Sequence, residues 1–167
     1  KGGSLQMWRR FLGPRAVLYG IDTRKSCARF DGLFGQVRIG SQDDPDFLSR
    51  VVEEMGGIDV VLDDGSHRMS HIEASLRALF PHLSQGGTYM IEDLHAAYWK
   101  GFEGGFEAPT NFFNTIRGII DDMHQCYHHR KLQHPALEGA VSGLHVHDSL
   151  VVIEKGETPP PTHSRLA

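Results

Sequence analysis

Two short stretches hold the side chains best suited to chemistry. Val60-Val61-Leu62-Asp63-Asp64-Gly65-Ser66-His67 and Met90-Ile91-Glu92-Asp93 are apolar runs that end abruptly in carboxylates. Grouped carboxylates offer the oxygen ligands that Mg²⁺, Mn²⁺ or Ca²⁺ prefer and Zn²⁺ does not. A histidine, with a pKa near ~6.5, can take a proton at neutral pH. Carboxylates with His67 beside them therefore read as an active site with a metal held by acidic side chains. His67 and His71 also have the i, i+4 spacing of a zinc pair, but no third nitrogen or sulfur ligand is evident.

These groups act together only if the two apolar runs end at one rim. Ile58 to Asp63 and Thr88 to Glu92 read as buried parallel strands. Between them Ile72, Leu76, Leu79 and Phe80 give an inner face to a helix over about Met69 to Phe80. Pro81 and Gln85-Gly86-Gly87 close that helix. Strand, helix, strand with short links is a right-handed βαβ unit, which makes the two strands parallel. Ligands of open α/β sheets bind outside the carboxyl ends of such strands.

The flanking chain continues the pattern. Leu5, Trp8, Phe11 and Leu12 have helical spacing after Gly2-Gly3-Ser4, with Ser4 as the expected N-cap and Gly13-Pro14 as the stop. A glycine pair at a helix start lets backbone N–H groups approach a ligand closely. A flexible chain end explains the same residues equally well. Ala16 to Asp22 is an apolar strand ending in an acid, the place where nucleotide-binding α/β domains hold a ribose. Val37 to Gly40 is a short strand, and Ser41-Gln42-Asp43-Asp44-Pro45-Asp46 restarts the chain. Phe47, Leu48, Val51, Val52 and Met55 predict a helix that Gly56-Gly57 ends.

Tyr98 to Phe106 is aromatic and glycine-rich, which suits a mobile lid or a plain surface loop. Pro109 to about His128 predicts one long helix with Phe112, Phe113, Ile116, Ile119, Ile120 and Met123 as core. The histidines at its end read as solvated. Gly143 to Asp148 and Ser149 to Lys155 read as two strands meeting at a tight turn. Thr158-Pro159-Pro160-Pro161-Thr162 opens a tail expected to be disordered, so the domain is expected to be 1–156 and the tail 157–167.

The bulk numbers suit one soluble α/β domain. The chain has 167 residues, 40% hydrophobic and 23% charged, with a formal net charge of −4. That charge gives no reason to expect nucleic acid or an anionic membrane as partner. No apolar stretch approaches the ~18–20 residues that span a bilayer. Cys27 and Cys126 are too few for a disulfide framework, which points to a reducing cytoplasm.

Taken together, Gly-Gly-Ser-Leu-x-Met-Trp, a strand ending Ile-Asp, Asp-Asp-Gly-Ser-His, and Leu-x-x-Gly-Gly-x-Tyr-x-Ile-Glu-Asp followed by Tyr-Trp resemble the class I S-adenosylmethionine-dependent methyltransferases. More narrowly, the chain resembles the metal-dependent macrolide-sugar O-methyltransferases of the mycinamicin and macrocin type. His145 to Lys155 resembles that family's last strand pair, so the resemblance covers nearly all of the chain up to the tail.

The resemblance implies a Rossmann-like sheet, mostly parallel with an antiparallel C-terminal strand. It implies Asp64, Glu92 and Asp93 as ligands of Mg²⁺ or Mn²⁺ and His67 as the general base. Gly2, Gly3 and Ser4 would lie against the methionine part of the cofactor, and Asp22 would hold the ribose. Ser41 and Gln42 would approach adenine, although many relatives carry an acid where Ser41 stands. Asp63 would serve the cofactor or the turn. Tyr98 and Trp99 would flank a hydroxylated small-molecule acceptor such as a glycoside.

The family's first strand would stand before Lys1, so the chain is expected to start inside the fold. A homo-oligomer is compatible with this reading. The rivals are a methyltransferase-like binding module without turnover and a nicotinamide-dependent oxidoreductase. The latter would leave the acidic triad unexplained and lacks a Gly-x-Gly-x-x-Gly.

Overall fold

A computed structural model describes residues 3–160 and 162. Helix α1 (Gly3–Leu12) leads into strand β1 (Tyr19–Asp22), strand β2 (Gln36–Ile39) and helix α2 (Pro45–Met55). Strand β3 (Ile58–Asp63), helix α3 (Met69–Leu79) and strand β4 (Leu83–Ile91) form the central unit. Helix α4 (Phe112–Met123), helix α5 (Gln125–His128), strand β5 (Val141–His147) and strand β6 (Leu150–Lys155) complete it.

β1 and β2 pair in parallel, and the other strands form a second sheet in the order β3-β4-β6-β5. β3 and β4 are parallel, and β6 runs against both β4 and β5. β6 is therefore the reversed strand, as expected. No ladder joins the two sheets among the described residues. α1 lies against β1: a Cβ on Gly20 would come within 3.0 Å of Leu5 Cδ1. Arg9 ties the helix down by donating to the carbonyls of Phe34 (2.9 Å) and Ala16 (2.7 Å).

The core gathers around β4. Tyr89, Phe80, Phe112, Leu94, Ile119 and Ile153 are fully buried there, with Ile72 and Leu76 of α3 against them. α2 starts where the sequence dictates. The Asp44 side chain accepts from Phe47 N, Pro45 opens the first turn, and Gly56 ends the helix in the left-handed region at φ 82.

Several expected boundaries move. Ser4 lies inside α1 and does not precede it. Gln85-Gly86-Gly87, expected to be a closing loop, belongs to β4 and forms a bulge. Ile58 pairs with Leu83 but Val60 pairs with Thr88, so the extra residues bow outward, with Gly86 at φ 79. β4 ends at Ile91, one residue early.

The long helix expected over 109–128 breaks at His124. Its ring nitrogen Nδ1 lies 2.7 Å from the Ile120 carbonyl, the acceptor its own amide would use to continue the helix. The amide turns instead to Asp121 O at 3.0 Å. His128 and His129 are exposed, as expected. The stretch Tyr98 to Phe106, read as a lid or a plain surface loop, holds a 3₁₀ turn over Lys100–Phe102 and follows another over Leu94–Tyr98. Residues 156–160 carry no regular structure; the remainder of the tail, 162 apart, lies outside the described residues.

Candidate active site

Two residues held in the left-handed region face each other at the carboxyl ends of β3 and β4. His67 and Asp93 both have φ 56, an uncommon conformation for a residue with a side chain, and one that clusters at functional sites. Pairing holds the two strand ends level, since Glu92 N donates to Asp63 O at 3.0 Å. Just beyond, Leu94 N donates to Ser149 O at the β5–β6 turn, also at 3.0 Å. The chain at Asp93 is thus pinned on both sides.

Candidate donor atoms of Asp64, His67 and Asp93 all lie within 4.8 Å of one another. His67 Nε2 is 3.7 Å from Asp93 Oδ2. Asp64 and Asp93 are exposed and His67 is half-buried. Glu92 stands outside this tightest group but senses it. Its carboxyl pKa is raised by burial first, then by the charges of Asp64 and Asp93, with His67 opposing. Three carboxylates crowded at a rim without a lysine or arginine salt bridge among the described residues are the electrostatic setting a cation relieves. All their donors are oxygen, which suits Mg²⁺ or Mn²⁺.

Aromatic rings line the approach. His95 and Trp99 meet edge to face at 4.8 Å, Trp99 and Phe102 lie 6.0 Å apart, and Phe102 meets His67 at 6.3 Å. Trp99 is thus brought to the rim, about half exposed. Tyr98 instead stacks on Phe113 of α4 at 5.7 Å. The turn that carries Phe102 is anchored by Glu103, which accepts from Ser70 N at 3.0 Å and from Arg68 Nη2. Those hydrogen bonds, Ser70 first, hold the Glu103 carboxyl down to about 2.

The residues assigned to the cofactor are placed less uniformly. Gly2 lies outside the described residues, and Gly3 and Ser4 are exposed in the first turn of α1. Asp22 closes β1, but its carboxylate already accepts from Arg24 N at 2.8 Å, the Arg24 guanidinium at 3.0 Å and Cys27 Sγ at 3.1 Å. The Arg24 bonds hold its pKa well below the usual carboxylate range. Ser41 Oγ donates to Asp43. Gln42 and Asp63 are brought together but turned on each other, with Gln42 Nε2 donating to Asp63 Oδ1 at 3.0 Å.

Asp63 is buried and also accepts from Ser75 Oγ at 2.5 Å and Tyr89 OH at 3.3 Å. Burial raises its pKa against those hydrogen bonds. Sequence reading missed His95 and placed Phe102 and Glu103 only within the glycine-rich stretch, without individual roles. The first stands two residues past Asp93, which was a usable signal; the other two lay in a segment without periodicity.

No protein-family model matches the chain. It is 38% identical over 161 residues to mycinamicin VI 2''-O-methyltransferase of Micromonospora griseorubida and to demethylmacrocin O-methyltransferase of Streptomyces fradiae. Each alignment covers 93% of this chain and 40% of the relative. Among solved structures, the MycE methyltransferase of the mycinamycin biosynthetic pathway, in complex with Mg, SAH and mycinamycin VI, superimposes with a TM-score of 0.84 at 36% identity.

The chain is a homologue of the macrolide-sugar O-methyltransferases. It spans about 40% of the length of these curated relatives. The shared fold carries the paired strands β3 and β4 and the reversed strand β6. No helix among the described residues is long and apolar enough to cross a membrane.

Proposed function

We propose that this protein is an S-adenosylmethionine-dependent, divalent-metal-dependent O-methyltransferase acting on a sugar hydroxyl of a glycosylated small molecule. The convergence of Asp64, His67 and Asp93 donor atoms within 4.8 Å carries the reading. Homology to enzymes named for O-methylation of macrolide sugars supports it. When bound, the cation would acidify the acceptor hydroxyl and S-adenosylmethionine would supply the methyl group.

Asp64 and Asp93 hold the ion, with Glu92 as the third carboxylate. His67 takes the hydroxyl proton at Nε2, the ring atom that faces Asp93. Trp99, and Tyr98 behind it, form the acceptor side. Gly2, Gly3, Ser4, Asp22, Ser41 and Gln42 border the cofactor. Residues 1–156 form the methyltransferase unit. The two free cysteines suit a cytoplasmic enzyme.

Calorimetric titration of S-adenosylhomocysteine into the full-length protein tests the cofactor half of the reading. Saturable binding at one site is the expected outcome. Absence of binding in the presence of Mg²⁺ would leave the rim without a methyl donor and overturn the reading.

A further inference from the structure

His71 shares the i, i+4 spacing of a zinc pair with His67, yet it lies outside the Asp64–His67–Asp93 group. Its ring spans two loops. Nδ1 is 3.0 Å from Ser66 Oγ, and Nε2 is 3.3 Å from Asp43 Oδ2. The ring thus shares a hydrogen bond with the Ser66 hydroxyl on one side and lies in close charge contact with the Asp43 carboxylate on the other. Ser66 stands between Asp64 and His67, and Asp43 follows Ser41 and Gln42.

A second bridge runs alongside. Ser66 N donates to Gln42 Oε1 at 2.7 Å, while Gln42 Nε2 donates to Asp63. Gly65 makes room for it, since a Cβ there would lie 2.0 Å from Gln42 Oε1. The Ser66 N–H is therefore held by Gln42 and its hydroxyl by His71, two links toward loop 41–43, while that hydroxyl also accepts from Arg68 N at 3.4 Å. A displacement of that loop must move Ser66, and with it the two residues that flank the cation.

We infer that His71 is a positioning residue that couples the loop 41–43 on the cofactor side to the loop 64–67 that carries cation ligand and base. The inference rests on the function proposed above. Binding of cofactor and of cation should then be mutually dependent, and by linkage the dependence is the same read from either ligand.

The test is titration of S-adenosylhomocysteine into full-length wild type, His71→Ala and Asp43→Ala, each with and without saturating Mg²⁺. In the wild type, Mg²⁺ is expected to change the affinity by about fivefold or more. In both variants that effect is expected to shrink, the Gln42 bridge retaining part of it. Asp43 is exposed, so its variant keeps the test open if His71→Ala fails to fold. A merely structural histidine would lower the melting temperature and leave the coupling intact. Undiminished coupling in both variants, or none in the wild type, overturns the inference while binding itself upholds the functional reading. No binding in the wild type overturns that reading and the inference with it.

Discussion

His67→Ala is expected to lower methyl transfer by roughly 10²–10⁴-fold, the usual contribution of a positioned general base. Cofactor and cation affinity should stay near wild type. His67 is held in the left-handed region at the first bend beyond β3, with Nε2 turned to Asp93. Its ring is backed by Phe102, whose turn is tied to the start of α3 through Glu103. Such conformations are uncommon for residues with side chains and cluster at functional sites. The variant separates two roles. A fall in rate with cation binding intact assigns His67 to the proton, and lost cation binding would make it a further ligand beside Asp64, Glu92 and Asp93. Initial rates and a Mn²⁺ titration on the same variant decide between them.

Asp63→Ala is expected to destabilise the fold by about 3 kcal/mol, because it strands buried polar partners. Ser75 Oγ, Tyr89 OH and Gln42 Nε2 all donate to this carboxylate. They come from α3, β4 and the loop after β2, so the loss would loosen three elements at once. Urea denaturation of variant and wild type measures it. An unchanged midpoint would show that Asp63 does not organise this junction.

The two carboxylates of the Asp63-Asp64 pair thus do different work, and the sequence alone separates them poorly. A strand that ends in two acids turns successive side chains to opposite faces. Which one enters the core depends on what waits there, and Ser75, Tyr89 and Gln42 come from distant parts of the chain. The βαβ unit was legible because its apolar periodicity is local and strong. So was the reversed last strand, through the tight turn at Asp148-Ser149 and the resemblance.

The bulge at Gln85-Gly86-Gly87 was not legible, because glycines mark a loop and a bulge alike. The break at His124 was hidden as well, since the apolar stripe alone gives no sign that a ring will capture the Ile120 carbonyl. The bridge through His71 needed three dimensions: its i, i+4 spacing to His67 suggested a shared ligand, while the ring faces the loop at Asp43.

The most direct test is metal dependence of methyl transfer from S-adenosylmethionine to a glycoside acceptor. Treatment with EDTA is expected to abolish transfer, excess Mg²⁺ or Mn²⁺ to restore it, and Asp64→Asn with Asp93→Asn to prevent that restoration. Transfer that continues unchanged after EDTA would contradict the assignment of Asp64, Glu92 and Asp93 to a cation.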